Sequence, residues 1–190
     1  MTGWDLPAAL PVGERSWAIH GDFRDVLEVI GWLDGDQGET LLPEERWYVA
    51  MALFYRDFPR MPPALYPEAA RRLAEFIAGG RPDTAPPGPR LLDWQRDAPM
   101  IVAGVNRAAG CEVRSLPFLH WWSFLAWFSA IGEGPLATVV SIRDKLRRGK
   151  KLEAWELSYY RAHRSEIDLR PARSQAEQAE HDRLLAMLTK

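Results

Sequence analysis

Cysteine is nearly missing. Cys111 stands alone in 190 residues, so no disulfide can close within the chain, and the usage fits a reducing compartment. Long apolar runs are missing too. The most apolar stretch, Leu116 to Ile131, is broken by His120 and falls short of the roughly 20 residues that cross a bilayer, so no membrane span is expected. Met1 to Ala8 shows no basic segment leading into an apolar run, and no signal peptide is expected. The four histidines (His20, His120, His163, His181) are not at HExxH spacing, and one cysteine rules out a Cys-rich zinc site. A glycine-rich phosphate loop and a nucleophile elbow are also lacking, and no carboxylates form a recognisable acid–base pair. The reading is therefore of a non-enzymatic protein with no catalytic, cofactor-binding or metal-binding residues. No internal repeat is visible, and no sustained alternation of apolar and polar residues argues for strands.

What is present is an ordinary globular composition, 47% hydrophobic and 26% charged, which excludes wholesale disorder. Its length suits one domain with a proper core, and a single helical domain over residues 1–190 is expected. Nine tryptophans are the unusual feature. Each large aromatic removes about 150–250 Å² from water, so this load implies a large core or an adhesive surface. Charge is unevenly spread. Residues 143–190 hold 12 of the 24 Lys+Arg and 8 of the 26 Asp+Glu, a net of +4, while the first 142 residues carry 12 against 18, a net of −6. Such asymmetry suits docking to an acidic partner or head-to-tail self-association, and equally a solvated basic helix end.

The periodicity predicts an all-α fold, a compact bundle of seven or eight helices around a central aromatic-rich one. Asp22 is the expected N-cap of the first, with Asp25 three residues on and Phe23, Val26, Leu27 and Ile30 at helical spacing before Gly35. Pro43 opens the second, followed by Glu44 and Glu45 and an apolar face of Trp47, Ala50, Met51 and Phe54. A third runs from Pro67 to Ala78 and is closed by Gly79-Gly80. Residues 81–92 read as a proline-rich surface loop, since 81–90 alone contain four prolines and a glycine. A helix from Asp93 or Asp97 carries Ile101, Val102 and Val105 to Gly110. Ser115 is the expected cap, and Pro117 the first turn, of a central helix over Leu116–Ile131, apolar on nearly every side and so surrounded by protein. Pro135 starts a helix with Leu136, Val139, Val140 and Leu146 inward. The next has Leu152, Trp155 and Tyr159 on one face. A last helix over 173–190, polar for two turns and apolar only near its end, is expected to be peripheral.

Three local patterns suggest chemistry. Asp34, Asp36 and Glu45 fall at positions 1, 3 and 12 of a calcium-binding loop, but Glu39 occupies the position that needs glycine and Gly38 one that needs a side-chain oxygen; a polar interhelical turn fits better. The run from Arg143 to Lys151 could meet phosphates, although no reading element accompanies it, and a solvated helix end is the plainer reading. In Leu119-His120-Trp121-Trp122-Ser123-Phe124, His120 and Ser123 stand at i, i+3 and would give a narrow polar seam, either bordering a cleft or simply hydrogen-bonded within the core.

That last segment also carries a resemblance. With Asp22-Phe23-Arg24-Asp25-Val26-Leu27 and Asp34, then Leu53-Phe54-Tyr55, Asp93-Trp94 with Asp97-Ala98 and Ile101, and Ile142-Arg143, it resembles the bacteriophage gene-product-fifteen tail-assembly family over about residues 20–165. The chain departs from that pattern in its proline-rich 81–90 loop and in Asn106 to Cys111. The resemblance implies a phage or prophage tail-assembly protein of the bacterial host cytoplasm, a chaperone coating the tape-measure protein before tail-tube subunits polymerise around it. A structural tail or connector component retained in the virion is the alternative. The implied partners are the tape measure, other tail proteins and further copies of the chain itself; specific nucleic acid and membrane are not among them. Binding is expected through apolar side chains at the edge of the central helix (Trp121, Trp122, Trp127) and at the end of the C-terminal helix (Leu184, Leu185, Leu188).

Overall fold

The computed structural model describes residues 5–34, 41–80 and 90–169. Residues 35–40 of the calcium-loop candidate, most of the proline-rich loop and the C-terminal helix with Leu184, Leu185 and Leu188 lie outside them. The described residues fall into two compact units, within Met1–Gly88 with Trp94–Ala137 and within Pro89–Asp93 with Thr138–Lys190. The chain is mostly α-helical, with eight α-helices and one two-stranded sheet among the described residues.

The first unit opens on a hairpin that the sequence reading did not foresee. Strands β1 (Ala9–Val12) and β2 (Arg15–Ala18) pair antiparallel, with Leu10 opposite Trp17 and Val12 opposite Arg15. Gly13 supplies φ +62° at the first position of the two-residue loop, the conformation that matches the twist of the strands. Leu10, Val12 and Trp17 point inward while Pro11 and Ser16 face out. The alternation thus lasts only three or four residues per strand, too briefly to stand out in the sequence. Glu68 accepts the Gly13 N–H at 3.0 Å, fixing the turn.

Helix α1 (Phe23–Asp34) starts as read: Asp22 Oδ1 accepts the Arg24 N–H at 3.0 Å. Helix α2 (Pro43–Phe54) begins at its proline, and Glu45 reaches back to accept the Leu42 N–H at 2.8 Å; this is half a capping box, because leucine has no side-chain acceptor. Helix α3 (Tyr66–Ile77) ends at Gly79 and Gly80, both at positive φ, with the Gly80 N–H donating to Glu75 O at 2.8 Å. Helix α4 (Ala98–Ala109) has Pro99 in its first turn and stops at Gly110, φ +70°. Gly104 lets α4 approach the Ile131 side chain so closely that a Cβ there would sit 2.7 Å from Ile131 Cγ2.

The central helix needs correcting. Helix α5 covers only Trp121–Ser129, and residues 116–120 precede it as extended chain. Pro117 disfavours the helical conformation at Leu116, whose φ and ψ are −68° and 136°. Neither Ser115 nor Pro117 therefore opens this helix. Nor is α5 enclosed all round: Trp121 and Phe124 are buried, while Trp122, Leu125, Trp127 and Phe128 are half-buried.

Helix α6 (Pro135–Arg147) begins in the first unit and runs into the second, which also contains α7 (Ala154–Ala162) and the short α8 (Arg164–Ile167). The inward face of α6 is Leu136, Val139, Ile142 and Arg143, whereas Leu146 is exposed. On α7 the expected inward Trp155 faces out at 56% exposure, and Glu156 is buried in its stead. Glu156 can be there because Lys145 Nζ reaches both its oxygens, at 2.7 and 2.8 Å, and Oε2 also accepts the Glu153 N–H at 2.9 Å.

Candidate functional site

The extended segment 116–120 is clamped by one acid and one base of α1. Asp22 Oδ2 accepts the Leu119 N–H at 2.9 Å, and Asp22 also pairs with Arg24 at 2.9 Å. Arg24 Nη2 in turn donates to Leu116 O at 2.6 Å and Arg114 O at 3.1 Å. The segment also bridges to the chain before α1, with the Phe23 N–H donating to Leu119 O and the Trp121 N–H to Gly21 O, each at 2.9 Å, and the two side chains serve groups outside that bridge. Leu119 and His120 are buried, while Phe118 is 58% exposed.

His120 follows as the N-cap of α5. Its Nδ1 accepts the Trp122 N–H at 3.1 Å, so the proton of the neutral ring sits on Nε2, which donates to Pro7 O at 3.2 Å. The ring lies edge-on to Phe76 and Trp122, at 5.6 and 5.9 Å between centroids. Burial pushes its pKa below the usual 6.5, with the hydrogen bond to Pro7 opposing. His120 is thus a cap outside the helix, not one end of a polar seam with Ser123 on it. Both ring nitrogens are engaged, which leaves neither for acid–base work.

The two tryptophans after it finish another helix. Trp121 Nε1 donates to Ile77 O and Trp122 Nε1 to Phe76 O, each at 2.9 Å; Phe76 O also accepts the Gly79 N–H at 3.0 Å, so the indoles add to the closure of α3. Trp121 and Phe124 stack at 5.5 Å, Phe124 stacks on Phe23 at 4.8 Å, and Trp94 packs against Trp121 and Phe128. Tyr55, also among the residues of the resemblance, is buried with its hydroxyl donating to Ala69 O at 2.9 Å; burial raises its pKa. Asp22, Phe23, Arg24, Tyr55, Trp94, His120, Trp121, Trp122 and Phe124, all among the residues of the resemblance, thus serve as architecture.

This bears on the expected binding residues. Trp121 is 1% exposed and belongs to the core; Trp122 and Trp127, half-buried, keep an accessible edge. The most exposed large apolar groups among the described residues are others, including Leu42 and Tyr48 on and beside α2, Phe118 before α5, and Trp155 on α7. Phe118 was legible only if 116–120 had been read as extended. Trp155 was hidden because an ordinary apolar count puts Trp inside and Glu outside.

An apolar groove of about 250 Å³ lies between the start of α4 and Ile131 to Leu136. Pro99, Met100, Ala103 and Gly104 form one wall, and Arg107, held by Ile131 O and Glu133 O at 3.1 and 2.9 Å, is the charged group in the lining. Such a surface can receive an apolar side chain, and its lining offers no nucleophile or carboxylate for chemistry.

The basic run is also reorganised. Arg143 is 3% exposed and donates to Ile167 O, Glu166 O and Leu91 O at 2.8, 2.7 and 3.0 Å, so it is a strut inside the second unit and unavailable to phosphates. Lys145 and Arg148 pair with Glu156 and Asp144. Among the described residues no group of histidine, cysteine and carboxylates is placed to hold a metal ion, and no helix is long and apolar enough to cross a membrane. Comparison of the chain with family models, with curated proteins and with solved structures finds no match.

Proposed function

We propose that the chain is a non-enzymatic tail-assembly protein of a phage or prophage, binding the tape-measure protein in many copies in the host cytoplasm before the tail tube forms. One observation carries the reading. Five residues of the resemblance, far apart in the chain, meet at one junction in which Asp22, Arg24, His120, Trp121 and Trp122 each complete another element's hydrogen bonds. A pattern tied to one interlocked junction is a pattern for a fold, and it leaves the exposed apolar groups, Phe118 and Tyr48 among them, free for a partner. A tape measure is a long, largely helical, apolar chain, and apolar side chains on a small helical protein are suited to shielding it.

Co-expression with the tape-measure protein encoded beside it, followed by size-exclusion chromatography, tests the proposal. The expected result is co-elution with several copies per tape measure, and none in purified particles. Separate elution of two soluble proteins sinks the chaperone reading, and recovery of the chain from purified virions favours the structural tail or connector component.

A further inference from the structure

We propose that the chain associates with further copies of itself head to tail, a basic apolar patch of one copy receiving an acidic apolar patch of the next. The inference goes beyond the tail-assembly reading and does not depend on it.

The basic patch belongs to the second unit. The exposed Trp155 ring is held outward by its indole N–H, which donates to Glu153 Oε2 at 3.0 Å. Along the end of α6 and the turn after it stand Arg147, Lys150 and Lys151, all exposed. Their neighbours Lys145, Arg148 and Arg164 are neutralised by Glu156, Asp144 and Asp168 at 2.7, 2.7 and 3.0 Å, whereas these three cations face no carboxylate among the described residues. An exposed aromatic ring four residues along the chain from Lys151, with cations that face no described carboxylate, suits a ligand that is both acidic and apolar.

The acidic patch belongs to the first unit and offers that chemistry. Glu44, Tyr48 and Ala52 recur at i, i+4 and i+8 along the outward face of α2, with Leu42 exposed just before it. Tyr48 is 52% exposed yet held in place edge-on to Phe58 and Tyr66, at 5.2 and 6.0 Å. Glu44 faces no basic group among the described residues. The ring of each patch is thus held before contact, so little of its freedom is lost on binding.

A second copy fits better than nucleic acid. The chain itself supplies the acidic and apolar counterpart, Glu44 beside Leu42 and Tyr48 at the start of α2. Because the two patches differ, the contact is heterologous. Each copy keeps one free patch of each kind, and growth continues into an open chain or closes as a ring.

Sedimentation velocity on the full chain across protein and salt concentration is the test. The weight-average mass should rise with concentration, and the apparent Kd should weaken about tenfold or more between about 0.05 and about 0.5 M salt, since the charges are exposed. Lys150→Glu with Lys151→Glu, and separately Glu44→Lys with Ala52→Lys, should each be monomeric, and an equimolar mixture should associate again because each supplies the patch the other lost. Circular dichroism checks that both variants fold, and the salt series on the unaltered chain needs no variant. A monomer at every concentration in low salt overturns the proposal, as do association that strengthens with salt, folded variants that still associate alone, and a mixture that stays monomeric. A chain that self-associates but ignores the tape measure would leave this inference standing and remove the tail-assembly reading; a monomer that binds the tape measure would do the reverse.

Discussion

His120 holds α5 only while its imidazole is neutral, because Nδ1 must accept the Trp122 N–H. Burial keeps its pKa below 6.5 in the folded chain, so the unfolded chain takes up a proton first as pH falls. The stability it contributes is therefore fully present above about pH 6.5 and is lost as pH drops through that value toward the lower folded pKa. Thermal melts between pH 8 and 5 should show a steeper loss for the unaltered chain than for His120→Asn, which can cap the helix without titrating. Equal slopes for the two would remove His120 as the cause. Arg143 makes the opposite case, a permanent charge that is buried and hydrogen-bonded to three carbonyls. Arg143→Ala leaves those acceptors unmet, and denaturant unfolding should report a loss of about 3–5 kcal/mol.

At the scale of elements, what could be read ahead was whatever is decided locally. Pro43, Pro99 and the glycines after α3 and α4 mark helix ends through their own backbone preferences, and the structure has those ends where the residues put them. The hairpin escaped because its apolar alternation covers so few residues. Segment 116–120 was merged into a helix because an extended stretch with one buried side and a helix with a broad apolar face share the same composition. Arg143 was read as part of a solvated helix end because its burial depends on Ile167 and Glu166, which no local pattern links to it, and the burial of Glu156 depends in the same way on Lys145. Packing between elements gives a further test at Gly104. A helix interior usually gains about 0.5–1 kcal/mol from Gly→Ala. Here the added methyl would meet Ile131 at 2.7 Å, and Gly104→Ala should instead destabilise by about 1–3 kcal/mol, with Ile131→Ala in the same chain recovering part of the loss. A simple gain in Tm for the single variant would show that Ile131 moves aside freely.

For the whole molecule, the aromatic load divides into groups that hold the fold and groups that face solvent. Trp121→Ala should lower stability by about 3–5 kcal/mol, since its ring is enclosed and its indole N–H closes α3. Phe118→Ser should change stability by no more than about 0.5 kcal/mol. If the tail-assembly reading is right, it should nevertheless reduce the amount of chain that co-elutes with the tape measure. A Phe118 variant that melts early, or that binds as before, would take that side chain out of the binding surface. The candidate site was less legible than the fold for the same physical reason: which aromatics remain exposed is settled by long-range packing.

The Asp22 to Leu119 hydrogen bond also sets an order of events during synthesis. Its donor lies 97 residues downstream of its acceptor, so at about 5–20 residues per second the ribosome adds it roughly 5–20 s after Asp22 has been made. By the end of that interval α1, α2 and α3 have all been made, while Arg24 has only just been supplied with the carbonyls it holds and the end of α3 still lacks its two indole donors. The nascent first unit is a set of helices waiting for its clasp. Chains stalled before residue 119 should be open to proteases along the segments that the finished protein protects.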